Sequence, residues 1–191
     1  VRLAHMREAW TGRTFAFDFP VERIAVLRSR LRGTADRIQA AVRGLDADHL
    51  TTRNGDNWSV QEHIGHLFEL DGLHQTRLDE LGRGESELTA ADMENHATWD
   101  ANFNSRPFAD VMAAFVARRT NLLQHLSGLD AEQLGRHGLH PRLKTPMRCV
   151  DVAFFAAEHD DNHVAAIESI AANIEQTPAT AASCAWLDLP P

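Results

Sequence analysis

The sequence predicts an all-α protein, a four-helix bundle with a long crossover between its second and third helices. Three observations predict it. Apolar residues recur with the helical period in four long segments, no segment alternates apolar and polar residues as a half-buried strand would, and the longest connection is a polar stretch with little periodicity. With 191 residues, of which 43% are hydrophobic, the chain is one domain's worth and can bury a sizeable core without staples. The expected domain covers residues 1–175, followed by a C-terminal extension over 176–191.

The first helix is predicted over residues 21–45, where Ile24, Leu27, Leu31, Ile38, Val42 and Leu45 keep the period until Gly44 and the polar run after Leu50 stop it. A turn cluster over 51–57 leads to Ser59 and Glu62, a capping box that opens a second helix over 60–81. Gly82 and Gly84 end it. The polar connection 85–106, with Trp99 and Phe103, is too long for a bundle turn, so it crosses the bundle or hosts a short helix. Pro107 suits the first turn of a third helix reaching about residue 127 through Val111, Ala114, Phe115, Leu122 and Leu126. A loop over 135–146 holds His137, His140 and Pro141, and a fourth helix follows over 147–174. The tail is read as an extension packing on the surface through Ala185, Trp186 and Leu187. The tetrapeptide Gly-Leu-Asp-Ala occurs at 44–47 and again at 128–131, each time closing a helix, which fits two related helix pairs.

Composition excludes several functions. Cys149 and Cys184 are the only two cysteines, too few for a disulfide framework or a thiolate metal cage. The net charge is −8 with dispersed arginines, so no phosphate footprint exists and nucleic acid is not an expected partner. No apolar run approaches the roughly 20 residues of a membrane span, and the first residues lack a secretory apolar region. A cytoplasmic protein is expected.

The 11 histidines carry the functional signal. On the fourth helix, at about 100° per residue, His159 and His163 fall within about 20° of the centre of the apolar face formed by Phe155, Ala156, Ile167, Ile170 and Ile174. A lone inward histidine is usually a core residue bonded to a neighbouring helix. Two at i and i+4, with Cβ atoms about 5–6 Å apart, both need partners, and one cation satisfies both. The run His159-Asp160-Asp161-Asn162-His163 also approximates the zinc-protease pattern, but its carboxylate is one methylene short and no third ligand follows downstream. The second helix carries His63, His66 and His74; the wheel places His63 and His74 nearer the apolar centre and His66 on one flank. Di-iron chemistry is excluded, because the paired Glu-x-x-His motifs are missing. Asp160 flanks the ligand pair and is a candidate general base, set against the plainer reading of a solvated helix-face carboxylate. Arg77 is a candidate clamp for a substrate carboxylate, with the same alternative.

The stretch Trp58-Ser59-Val60-Gln61-Glu62-His63-Ile64-Gly65-His66-Leu67, with Glu158-His159-Asp160-Asp161-Asn162-His163 far downstream, resembles the DinB/YfiT superfamily over residues 35–170. The loop 137–145, with its His-Pro pair, is similar to the YfiT branch. The resemblance implies a four-helix bundle with a three-histidine divalent-metal site. Its motif carries over to His66, from the His-Leu pair, and to His159 and His163. Members are described as metal-dependent hydrolases or thiol-dependent transferases and often dimerise, so a homodimer is implied. Residues 1–32 and those after 174 match nothing in it. The expected function is a hydrolase-like metalloenzyme using one Zn²⁺ or Ni²⁺ to activate water against a small-molecule substrate. The alternatives are a low-molecular-weight-thiol S-transferase and a stress-related metal- or ligand-binding module without turnover. Because ligating imidazoles must be neutral, the sequence alone predicts proton competition with the metal near pH 6.5.

Overall fold

The computed structural model describes residues 10–176. The expected surface extension over 176–191 thus falls, apart from its first residue, outside the described residues. Four long helices make the frame: α1 (Ile24–Ala41), α3 (Val60–Arg83), α5 (Phe108–Gly128) and α7 (Cys149–Gln176), with short helices α2 (Ala47–Thr51), α4 (His96–Asp100) and α6 (Ala131–Gly135) between them. The bundle expected from the periodicity is present, and its helix ends have local causes. Ser59 Oγ accepts from the Glu62 amide at 3.1 Å while Glu62 accepts from the Ser59 amide at 2.9 Å, so the capping box starts α3. Gly84, at φ 78°, ends it in a left-handed cap that a side chain would strain.

The packing order is not that of a simple up-down bundle. Helix α1 lies against α7 and α5, and α3 against the same two, so the sequential pairs α1/α3 and α5/α7 stand on the diagonals. Helices α3 and α5 run parallel. Gln61 near the start of α3 donates to the Arg106 carbonyl at 2.7 Å just before α5, Asp71 meets Arg119, and Gln75 meets His125 further down. The chain must therefore travel back along the whole of the 24-residue α3, about 36 Å, before α5 can begin. That return is the long crossover, and it hosts α4 and a single 3₁₀ turn at Phe103–Ser105.

Two corrections arise in the connections. The loop over 135–146 is bordered by strands, β1 (His137–Leu139) and β2 (Pro146–Arg148), which pair antiparallel with Gly138 opposite Met147. Met147 therefore belongs to a strand, and α7 starts two residues later than expected. Three-residue strands are too short to show an alternation. The repeated tetrapeptides begin helices as well as closing them: Asp46 caps α2 through the His49 amide at 2.9 Å, and Asp130 caps α6 through the Gln133 amide at 2.8 Å.

The core has an apolar cluster at each end. Leu27, Leu31, Leu81, Leu126 and Val150 fill one, and Ile38, Ile64, Phe103, Phe115 and Val164 the other. Between them lies a polar layer. In it Arg119 of α5, 4% exposed, uses all five of its donors. Nε and Nη2 donate to Asp71 of α3 at 2.8 and 2.9 Å, Nη1 to the Leu31 carbonyl of α1 at 2.9 Å, and Nη2 to Asp160 of α7 at 3.0 Å, with a second bond from Nη1 to Asp160. One guanidinium touches all four helices.

Gly65 sits on α3 against the ring of Phe103, where a Cβ would come within 2.1–2.4 Å of the ring carbons. Gly65→Ala is expected to lower stability by about 1–3 kcal/mol, as overpacking of a filled core does, despite the better helix propensity of alanine. Urea denaturation measures it; an unchanged midpoint would mean that Phe103 moves aside freely.

Candidate metal centre

The polar layer opens on a cavity of about 620 Å³ between α3, α7, the crossover and the β1–β2 hairpin. Its wall carries His66, His159 and His163, which are 5%, 5% and 7% exposed. One ring nitrogen from each lies within 4.8 Å of the others. Helices α3 and α7 run antiparallel here, and the i,i+4 pair of α7 meets the single His66 of α3. The flank position of His66 on the helical wheel is the side of α3 turned toward α7.

The nitrogens are sorted by their neighbours. Thr98 Oγ1, brought in by α4, lies 3.1 Å from His66 Nδ1, and His63 Nδ1 lies 2.8 Å from His163 Nδ1. Each bond takes up Nδ1, so that Nε2 is the nitrogen His66 and His163 have left for an ion or for a neighbouring ring. The Nε2 atoms of His159 and His163 stand 3.2 Å apart. Two nitrogens bound at about 2.1 Å to one tetrahedral ion would be about 3.4 Å apart, so the pair fits a shared cation. A donor set of three imidazoles suits a divalent transition ion. His159 Nδ1 is buried without a partner.

Burial holds these rings neutral. It pushes His66 down to about 3, and drives His159 and His163 well below the ordinary histidine range, with the neighbouring imidazoles adding to the effect. Indoles complete the enclosure. Trp58 lies tilted against His66, centroids 4.6 Å apart, and Trp10 packs edge-on against His159 at 4.8 Å.

The other sequence candidates fall as follows. His63 touches His163 and lies outside the cluster of three; burial lowers it to about 4. His74 is buried two turns further along α3, its Nδ1 unpartnered. Asp160 is neither solvated nor on the cavity wall. It is 3% exposed and held by Arg119, with Thr34 donating to it at 2.6 Å, so its oxygens are already occupied. The reading of Asp160 as a solvated helix-face carboxylate is thereby overturned, since α1 covers that face of α7. Arg77 is also buried, 1% exposed, and it lines the cavity.

Sequence reasoning missed Trp10, Thr98, His140 and Arg142 as wall residues. Trp10 belongs to an irregular segment whose Phe15, Phe17 and Phe19 pack near the start of α7, pinned where Arg148 donates to the Phe17 and Phe19 carbonyls at 3.1 and 3.0 Å. The alternating phenylalanines were the available signal.

Residues 30–167 match the family profile of the DinB superfamily. The chain belongs to the DinB superfamily. Among solved structures, this DinB chain is similar to YfiT from Bacillus subtilis, with 16% identity and a TM-score of 0.73 over 85% of this chain and 94% of that one. YfiT is described as a probable metal-dependent hydrolase with an unusual four-helix bundle topology. At that identity the likeness is one of fold. No curated protein matches the chain. The family segment omits residues 10–29, so Trp10 is an addition from outside it. No helix among the described residues is long and apolar enough to cross a membrane.

Proposed function

We propose that this DinB protein is a metal-dependent hydrolase acting on a small molecule, with one divalent ion, Zn²⁺ or Ni²⁺, held by His66, His159 and His163. The observation that carries the reading is the convergence of three neutral imidazoles on the wall of a cavity large enough for a small substrate. A divalent ion in such a set supplies Lewis acidity, bringing the ionisation of water near neutral pH and polarising a carbonyl. The chain's own residues do the rest. His63 and Thr98 fix two of the rings, burial keeps all three unprotonated, and Trp10 and Trp58 limit the water that reaches them. Asp160 acts through Arg119 as a support of α7 and takes no part in proton transfer.

The test is metal analysis of protein purified without chelators or a nickel column, followed by chelator-sensitive hydrolysis of a panel of small esters, amides and phosphoesters. One ion per chain is expected. Alanine at His66, His159 or His163 should abolish tight binding, whereas His63→Ala should weaken it by about ten- to a hundredfold, as loss of a ring-orienting partner does. His66→Ala binding as well as wild type while His63→Ala fails would move the ligand to His63. A fully loaded protein that hydrolyses nothing on the panel would sink the hydrolase reading.

A further inference from the structure

The cavity has a second polar end, built from Arg77, His140 and Arg142, that the metal reading does not use. Arg77, 1% exposed, spends Nε and Nη2 on the single carbonyl of Thr89 at 3.0 and 2.9 Å. His140, 2% exposed, stands at the turn of the β1–β2 hairpin. Its Nδ1 accepts from the amides of Arg142 and Leu143 at 3.2 and 3.1 Å, which places the ring proton on Nε2. That Nε2 is buried and has no partner. Arg142 gives Nη1 to the Thr11 carbonyl at 3.0 Å, and its Nη2 is likewise buried without a partner.

Among the described residues, three donors thus stand together with no carboxylate bonded to any of them. Among the described residues neither arginine is in an ion pair. The acids nearby are engaged elsewhere: Glu80 accepts from the Thr89 amide at 2.8 Å, Glu69 faces Arg118 at 3.8 Å, and Asp92 accepts from the Glu94 amide at 3.1 Å. The three groups also feel one another. Burial lowers Arg77 to about 10, with Glu80 opposing the fall and Arg142 adding to it, and His140 falls to about 4 through burial and then the two arginines. Buried cations and N–H donors left in this state are costly, and an oxyanion relieves all of them at once. Between this end and the histidines the wall is apolar, formed by Trp10, Leu70, Leu73 and Phe155.

We infer that Arg77, His140 and Arg142 form an oxyanion subsite, and that the substrate is a small amphipathic acid whose charged head sits there while its apolar body spans the cavity toward His66, His159 and His163. The assignment of this acid as substrate rests on the proposed hydrolase function; the subsite itself does not.

The experiment is a calorimetric titration of the full chain, metal-free and zinc-loaded, with straight-chain carboxylates from acetate to octanoate and with the matching alkyl phosphates. Binding to the metal-free protein is expected, tightening about three- to fourfold per methylene as the apolar wall is covered. Whichever head group binds more tightly names the acid. Arg142→Gln, at a half-buried position, should weaken binding at least tenfold, and Lys144→Gln, exposed on the same hairpin and off the cavity wall, should leave it intact. Binding that requires zinc and ignores Arg142→Gln would place the acid on the metal and overturn the subsite, as would a wild-type chain that binds none of the acids. A protein that takes up no metal but still binds acids through Arg142 would sink the hydrolase reading alone.

Discussion

Arg119→Met is expected to lower the melting temperature by about 6–20 °C. The substitution keeps roughly the length of the side chain and removes the one side chain among the described residues that forms an ion pair with Asp71 and Asp160, which are 1% and 3% exposed. Breaking a buried ion pair by deleting one partner costs about 3–5 kcal/mol, because the remaining charge is left without solvent or counterion. In a chain of this size each kcal/mol moves the midpoint by about 2–4 °C. Asp71 is held against a cost even with the arginine present, since burial pushes it up to about 6. Replacing the whole set by Arg119→Met, Asp71→Leu and Asp160→Leu should recover most of the loss, as apolar replacements of buried ionic clusters do. Differential scanning calorimetry of the single and triple variants decides the matter. A single variant within 2 °C of wild type would show that the polar layer is wet and that the four-helix tie carries little stability.

The second large effect couples metal, fold and pH. In the unfolded chain a histidine takes up a proton as pH falls through about 6.5. In the folded chain His66 does so only near 3, and His74, His159 and His163 are also well below the ordinary value. Below pH 6.5 the unfolded state therefore binds more protons, and stability falls with falling pH by up to about 1.4 kcal/mol per unit for each such ring. The metal-free protein should lose its melting temperature steeply between pH 6.5 and 5. Zinc at a hundredfold excess over Kd should add about 2.7 kcal/mol, or roughly 5–11 °C. The folded rings are neutral throughout this range, which revises the sequence-based expectation of proton competition near 6.5. The zinc Kd of the folded chain should change less than threefold from pH 7.5 to 5.5, measured by competition with a chromophoric chelator. A tenfold loss would show that the rings titrate as free histidines do. Melting curves indifferent to zinc and chelator at both pH values would leave the histidines as structural residues.

Much of this architecture was legible because helical periodicity and capping are local. The four long helices, the Ser59–Glu62 start and the Gly84 stop all follow from residues within a turn of one another. The crossover was visible as a length, but its cause, the parallel run of α3 and α5, is a property of packing. The i,i+4 pair on α7 was visible for the same reason as the helices. The choice of His66 among the histidines of α3 was not. A wheel measures distance from the mean apolar direction, and α3 has two neighbours, so a residue turned toward α7 alone sits on a flank. Asp160 was misread because a carboxylate beside an apolar face looks solvated until a buried arginine from another helix arrives. The contributions of Trp10, His140 and Arg142 depend on an irregular segment, whose only trace is the alternation of Phe15, Phe17 and Phe19, and on a hairpin of three-residue strands too short to show a period.

The two tryptophans beside the histidines make the centre visible to light. An excited indole a few ångströms from an open-shell ion such as Ni²⁺ loses its emission to that ion, whereas closed-shell Zn²⁺ leaves it bright. With Trp10 centred 4.8 Å from His159 and Trp58 4.6 Å from His66, the fluorescence of the unlabelled protein should dim in proportion to nickel occupancy and recover when zinc displaces it. The protein would then report which metal it carries by its own glow.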